Sequence, residues 1–333
     1  MNILVFSWRD PKHPNAGGAE QVMHEHMKGW RTAGHKVTLF SSKLKALESE
    51  EVLDGVKIIR AGIQYLGVQI AGFLFYLKNK DKFDFVVDQF HGIPFFTPLY
   101  VRKKKVAVIQ EATKEVWFLN ELPFPVNVFI GIIGYIFEPL VFLFYKNTPF
   151  ITGSNSAKED LVAFGIPEKN ITVIPHGVLV KTAKEKFPKE EKKTVVYLGA
   201  LARDKGIEDA IAAFGQINKK DRNFQFWVVG RAAPTYQLKL DSLVSKAGLK
   251  GKVKFFGFVS EEKKFELLIK ASVLINPSKR EGWGLVNIEA NSSGTPVVSY
   301  ESPGLVDSVK DGVSGIICSK NTPEELAQNI LKI

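Results

Sequence analysis

The sequence predicts an α/β protein made of two doubly wound domains, each a parallel sheet covered by helices on both faces. Three observations predict it. Short apolar, β-branched runs alternate with stretches of helical period. The runs fall into two series, and a Lys- and Glu-rich stretch separates them. A length of 333 residues and a hydrophobic content of 45% suffice for two cores.

In the first series, strands are expected at residues 3–6, 37–40, 57–60, 83–87, 106–109 and 150–152. The second is expected at 172–174, 194–198, 224–229, 252–256, 273–275 and 297–299. Continuous apolar strands joined through helices indicate parallel sheets buried on both sides. Two such sets give two doubly wound domains. The break is expected at 178–193, where the chain turns charged after Pro175-His176-Gly177 and carries Pro188. This sets the domains at 1–178 and 179–333.

Composition narrows the setting. Met1-Asn2-Ile3-Leu4-Val5-Phe6 has no basic stretch or cleavage site and reads as a first strand, not a signal peptide. The single Cys318 excludes an internal disulfide and fits a reducing, cytoplasmic compartment. A net charge of +10 and a pI near 9.4 point to anionic partners, without choosing among phosphates, nucleic acid and an anionic membrane.

Each domain opens on a loop suited to phosphate. In the first, strand 3–6 runs into Pro11, Pro14 and then Gly17-Gly18-Ala19-Glu20. The helix that follows has apolar Ala19, Val22, Met23, Met27, Trp30 and Ala33 at 3.6 spacing and stops at Gly34. Gly17 and Gly18 let backbone amides approach an anion at a helix start, although a glycine pair alone is more often a plain turn. In the second, strand 194–198 leads to Gly199-Ala200-Leu201-Ala202-Arg203-Asp204-Lys205-Gly206, and the next helix buries Ile207, Ala210, Ile211 and Phe214. Lys205 stands where an ammonium can neutralise a phosphate. Gly230, at the end of strand 224–229, joins the candidate ligand-approach positions.

The most informative stretch is Glu281-Gly282-Trp283-Gly284-Leu285-Val286-Asn287-Ile288-Glu289. A Pro277-Ser278 loop precedes it, and a helix is read over 290–296 that stops at Gly294. Eight residues is slightly more than two helical turns, so both carboxylates can face one ligand. Carboxylates accept sugar hydroxyls, and free amides at a helix start take a diphosphate. Together they describe a nucleotide-sugar site. A bare Glu pair at this spacing is common on solvated helices; the Gly-Trp-Gly-Leu between them carries the signal.

The segment from Asn276 to Ala290 resembles the donor signature of family 4 glycosyltransferases, retaining enzymes of the GT-B fold. Gly17-Gly18-Ala19-Glu20 followed by Gly34-His35-Lys36-Val37-Thr38 resembles the opening of that family. Gly199, Leu201, Lys205 and Gly206 match a further motif, as do Ser154-Asn155-Ser156 and residues 171–178, 255–259, 294–298 and 311–315. The resemblance implies two Rossmann-like domains facing across a cleft, the first binding an acceptor and the second a nucleotide sugar. It places Glu281 against the transferred sugar and Glu289 on the ribose hydroxyls.

Departures from the family pattern are specific. Ala200 stands where Arg is usual, with Arg203 the nearby candidate to replace its charge. Gln110, followed by Glu111, stands where many relatives have a His near the donor sugar. His91, in Asp88-Gln89-Phe90-His91-Gly92, is the other candidate lining the cleft, with an ordinary loop histidine as the competing reading. His176 stands where Asn is more usual, and the chain stops at Ile333, short of the family's usual terminal helix.

The implied reaction moves a sugar from a nucleotide-diphosphate donor to a hydroxyl with retention of configuration. Lys205, Arg203 and amides near Gly17-Gly18 and Gly282, Trp283, Gly284 and Leu285 would stabilise the departing diphosphate in place of a metal. No metal and no other cofactor is expected; His24, Glu25 and His26 lack the i, i+4 spacing of a helical metal site. No nucleic-acid partner is expected.

The acceptor class is read from two apolar segments. Residues 62–77 carry Tyr65, Leu66, Ile70, Phe73, Phe75 and Tyr76, and residues 123–145 carry Phe124, Phe129, Ile132, Ile133, Tyr135, Ile136 and Phe137, with Glu138-Pro139 against spanning a bilayer. Arg102-Lys103-Lys104-Lys105 lies nearby in sequence. Two readings stay open: a buried core helix, or a monotopic contact with an anionic membrane at its cytoplasmic face. The second favours a lipid-linked or membrane-proximal glycan as acceptor. Other functions also stay open: a non-transferring GT-B enzyme such as a phosphorylase or nucleotide-sugar epimerase, or a silent nucleotide-sugar-binding subunit. A dinucleotide oxidoreductase is disfavoured, because residues 7–18 lack G-x-G-x-x-G.

Overall fold

The computed structural model describes residues 1–64, 66–90, 92–120, 122–179 and 187–333. The chain divides into two compact units, Met1–Pro175 and His176–Ile333.

Unit 1 runs β1 (Asn2–Phe6), α1 (Gly18–Thr32), β2 (Lys36–Ser41), β3 (Glu50–Leu53), β4 (Val56–Arg60), α2 (Leu66–Asn79), β5 (Phe85–Gln89), α3 (Thr97–Tyr100), β6 (Lys104–Val108), α4 (Val126–Leu143), β7 (Phe150–Thr152), α5 (Asn155–Ala163) and β8 (Ile171–Val173). The sheet order is β3-β4-β2-β1-β5-β6-β7-β8. All neighbours are parallel except β3 and β4, which form an antiparallel hairpin at one edge. The chain winds outward from β1 through β2, then returns to β5 on the other side. That reversal opens a crevice at the carboxyl ends of β1 and β5, the place where ligands bind in such sheets.

The inner strands are apolar on both faces because both faces are covered. Ile3 and Val5 pack on Met23 and Met27 of α1, while Leu4 and Phe6 pack on the opposite face with Val68, Tyr76 and Phe95. The segment 172–174 was expected in the second series; the observed strand, β8, pairs with β7 at the edge of the first sheet. Ala33, expected on the apolar side of α1, is exposed at the helix end, and polar Glu20 and His24 are buried instead.

Buried polar groups shape the crevice side of unit 1. Asp88, near the end of β5, is fully buried. Its carboxylate accepts from the Thr97 hydroxyl at 2.7 Å, the Tyr145 hydroxyl, and the backbone N–H groups of Phe95 and Thr97. Burial raises its carboxyl above the usual range. Arg60, also fully buried, grips Asp10 with two bonds, at 2.7 and 3.0 Å, and so fixes the start of the long loop between β1 and α1.

Unit 2 runs β9 (Lys193–Leu198), α6 (Ile207–Lys220), β10 (Phe224–Val229), α7 (Pro234–Lys246), β11 (Val253–Gly257), α8 (Glu261–Lys270), β12 (Val273–Asn276), α9 (Leu285–Ser292), β13 (Val297–Ser299), α10 (Leu305–Ser308), β14 (Gly315–Ile317) and α11 (Pro323–Ile330). Its sheet is fully parallel in the order β11-β10-β9-β12-β13-β14. The reversal here falls between β9 and β12. Helices α6, α7 and α11 cover one face and α8 and α9 the other, each over a buried apolar cluster.

Asp88→Ala tests the first unit's buried network. It strands two hydroxyls and two amides, each costing about 1–3 kcal/mol when left without an acceptor. Urea denaturation is expected to show a loss of at least about 3 kcal/mol, with the Asn variant milder because its amide oxygen still accepts.

Candidate donor-binding site

The turns that leave β9 and β12 are neighbours because those strands pair, with Val195 beside Val273 and Val196 beside Leu274. Lys205 lies in the first turn and Glu281 in the second. The Lys205 ammonium stands 3.0 Å from Glu281 Oε1, 3.3 Å from the Arg280 carbonyl and 3.7 Å from Asp204. Both Lys205 and Glu281 side chains are 22% exposed, so the pair is half-buried and still reaches solvent.

Several contacts fix these turns. Gly206 has φ +70° and closes the turn before α6; a Cβ there would lie 2.2 Å from the Pro277 carbonyl oxygen. Only glycine allows that approach. Gly230 plays a similar part at the end of β10, where a Cβ would meet the Gly199 carbonyl at 1.7 Å; its role is to let two strand ends pass closely. The buried Tyr197 hydroxyl donates to the carbonyls of Ala200 and Lys205. Burial, and secondly the charge of Glu281, hold that phenol well above its usual pKa. Ser278 donates its hydroxyl to Glu281 Oε1 at 2.9 Å, and the Lys279 amide donates to the Asp204 carbonyl.

The helix expected over 290–296 begins earlier, at Leu285, with Gly284 as its N-cap. Glu281 therefore lies in the loop, and Glu289 in the second turn of α9. A buried chain of amides pins this start: Asn276 donates to Asn287, and Asn287 donates to Ser308. Gly282 and Gly284 are buried, and Leu285 is half-buried. The indole Nε1 of Trp283 is buried without a hydrogen-bond partner among the described residues. Arg203 is exposed in the turn before Lys205.

Glu289 is 9% exposed and receives the Lys264 ammonium at 2.6 Å; Lys264 also holds Glu261 at 2.9 Å. Burial raises the Glu289 carboxyl, and Lys264 opposes that shift. Lys264 is a component that sequence reasoning missed. It lies on α8, 25 residues away, and no local pattern marks it.

In unit 1 the glycine loop carries an internal contact. The Gly17 amide donates to Glu20 Oε2 at 2.7 Å, while Arg9 holds the other carboxylate oxygen at 3.0 Å. That amide is engaged by an internal carboxylate in this structure, at the place where the sequence puts a phosphate. Gly18 is the first residue of α1. Gln110 is buried beyond the end of β6. His91 lies outside the described residues. His24 bonds Asp54 at 2.8 Å, and no three His, Cys, Asp or Glu side chains gather as a metal site among the described residues.

Lys264→Met tests the buried pair. An uncompensated buried carboxylate is expected to cost about 3–5 kcal/mol at neutral pH. The sign follows from the raised carboxyl: the unfolded state ionises first as pH rises, so the penalty grows through that range and vanishes in acid, where Glu289 is protonated in both states. Chemical denaturation at neutral and at acidic pH checks it.

Comparison with known proteins fits this geometry. Residues 16–181 match the model described as Glycosyltransferase Family 4, and residues 180–333 match that of Glycosyl transferases group 1. An uncharacterized glycosyltransferase of Methanocaldococcus jannaschii is 30% identical over 203 residues, 57% of this chain and 51% of that protein. The GDP-mannose:cellobiosyl-diphosphopolyprenol alpha-mannosyltransferase of Xanthomonas oryzae pv. oryzae is 22% identical over 344 residues, 96% of this chain and 84% of that protein. The structure of Anabaena HepE in complex with UDP-glucose superposes with a TM-score of 0.74 at 17% identity, covering 100% of this chain and 89% of that one; at that identity the likeness is one of fold. The chain spans about half the length of several curated relatives that it matches. With two parallel-sheet Rossmann-like units of GT-B type and two family models that together match residues 16–333, the chain belongs to the family 4, group 1 glycosyltransferases.

Proposed function

We propose that this protein transfers a sugar from a nucleotide-diphosphate sugar to a hydroxyl acceptor, with retention of anomeric configuration and without a metal. The observation that carries the reading is the Lys205–Glu281 pair at the strand reversal of unit 2. A cation and a sugar-accepting carboxylate stand together at the carboxyl edge of the sheet, where this fold binds ligands. The names of relatives support the donor class: one uses GDP-mannose, and one is a complex with UDP-glucose.

The chemistry follows from the residues. As the glycosidic bond to phosphate breaks, the sugar becomes oxocarbenium-like and negative charge grows on the diphosphate. Lys205 exchanges Glu281 for the phosphate and stabilises that charge as it develops. Glu281, released, accepts a sugar hydroxyl. Glu289, fixed in place by Lys264, accepts the ribose hydroxyls. The α9 amides and Arg203 add positive potential. The departing phosphate oxygen takes the acceptor proton on the same face, so no side-chain nucleophile is needed. Gln110 contributes hydrogen bonds and is no general base; His91 is the residue to test for that part.

The acceptor falls to unit 1. We read it as a lipid-linked or membrane-proximal glycan at the cytoplasmic face of a membrane. The apolar exposure of unit 1 supports this, as does the name of the Xanthomonas relative, which acts on a diphosphopolyprenol. A silent nucleotide-sugar-binding subunit is the second reading, favoured by Ala200 at the position where the family resemblance leads one to expect Arg.

Incubation with radiolabelled nucleotide sugars, in the presence and absence of EDTA, tests the proposal. Lys205→Ala is expected to lower kcat by about 100- to 1000-fold with little change in donor affinity. Glu289→Ala is expected to weaken nucleoside diphosphate binding by about 1.5–3 kcal/mol, and Glu281→Ala chiefly to lower turnover. Loss of activity in EDTA with recovery on adding a divalent ion contradicts the metal-free reading. Donor binding without turnover selects the silent subunit.

A further inference from the structure

Helix α4 has 18 residues of mean hydropathy 2.0, and only 17% of them are buried. Of the two readings left open by the sequence, the buried core helix is not what the structure shows. Phe129 is 64% exposed and Phe137 58%, and Ile132, Ile133, Tyr135, Ile136, Leu140 and Leu143 are exposed too. At 100° per residue these positions cover more than half of the helix circumference. A protein groove covers one face of a helix; a fluid apolar phase covers such an arc.

The arc bears no bare charge. Glu138 faces the body of unit 1, where it accepts from the Thr113 and Lys114 amides at 2.6 and 2.7 Å and from the Trp117 indole at 3.1 Å. The apolar surface continues onto neighbouring helices. Phe144 meets Phe96 at 5.9 Å, just before α3, and Tyr100 of α3 meets Phe73 of α2 at 5.0 Å. Along α2, Ile70, Leu74 and Leu77 share one exposed face.

Basic residues stand at the C-terminal ends of the three helices that bear this surface. Lys78, Lys80 and Lys82 end α2 and follow it, Arg102, Lys103 and Lys104 follow α3, and Lys146 follows α4; all are exposed, with Asp81 and Asp84 the acidic residues in the same stretches. Apolar surface edged by cations complements an anionic lipid interface. Topology fixes the manner of contact. Helix α4 connects β6 to β7, which pair in one parallel sheet, so both of its ends return to the same body. A crossover of that kind lies along a membrane and does not span it.

We propose that unit 1 binds membranes monotopically, with α4 and the outer faces of α2 and α3 immersed at the acyl–headgroup boundary and the flanking Lys and Arg on anionic headgroups. This deepens the lipid-proximal acceptor reading, yet its physical basis is independent of sugar transfer.

The test is flotation with phosphatidylcholine vesicles, with and without phosphatidylglycerol. The wild-type chain is expected to float with both and more tightly with the anionic lipid. Phe129→Asp combined with Ile136→Asp and Phe137→Asp is expected to weaken binding to both by on the order of a hundredfold or more. Replacing Arg102, Lys103 and Lys104 by Gln is expected to cost about fivefold per charge on anionic vesicles alone. The three mutated apolar side chains are exposed, so an unchanged circular dichroism spectrum and melting profile separate lost contact from lost fold. Wild-type protein that stays unbound with both vesicle types overturns the proposal. So does light scattering that shows a dimer dissociated by the Asp substitutions with no vesicle binding, since a second copy then covers the face. Failure to bind nucleotides would overturn the sugar-transfer reading and leave this one standing.

Discussion

The 3.0 Å contact between Lys205 and Glu281 is the interaction around which unit 2 is arranged. It joins the turns after β9 and β12, the strands on either side of the reversal. Gly206 against Pro277, Tyr197 under the first turn, Ser278 on Glu281 and the Asn276–Asn287–Ser308 chain all serve to place those two charges. As a partly exposed ion pair it contributes little to stability. Its place in the fold fits the exchange we propose, in which an anionic ligand would take Lys205 and leave Glu281 to accept hydroxyls.

The two glutamates of the signature occupy unlike surroundings. Glu281 is open, paired with a cation that a phosphate can claim. Glu289 is nearly buried and its partner, Lys264, is buried with it. Moving Lys264 to a ligand would strand Glu289, so that pair stays together. In the proposed mechanism, one carboxylate suits a changing partner and the other a fixed one, and environment, not spacing, is what would separate their roles.

Much of this architecture is legible in the sequence. The buried strands show as continuous apolar runs, and the glycine turns after β9 and β12 mark the carboxyl ends of those strands. What was missed has physical causes. Glu50-Glu51-Val52-Leu53 forms the edge strand β3, held by its hairpin with β4, and has no apolar run to announce it. Chain order alone could not say which sheet the triplet at 171–173 joins, and it closes the first. The start of α9 was read five residues late, because Gly284 looks like loop and β-branched Val286 and Ile288 look unlike helix; tertiary contacts from Asn276 and Ser308 decide it. The exposure of α4 was illegible in principle, since composition cannot tell a buried apolar helix from one left open to a lipid phase. Lys264 and Glu20 act through contacts that only the folded chain reveals.

We propose one account that joins these features: unit 2 would hold and activate a nucleotide sugar, and unit 1 would bring the chain to an apolar interface where its acceptor resides. The central claim is sugar transfer in which the departing phosphate guides the acceptor onto the face it leaves. The most direct measurement is NMR of the product formed by purified protein from a nucleotide sugar of known anomeric configuration. The account predicts the same configuration in the product as in the donor. An inverted linkage would contradict it.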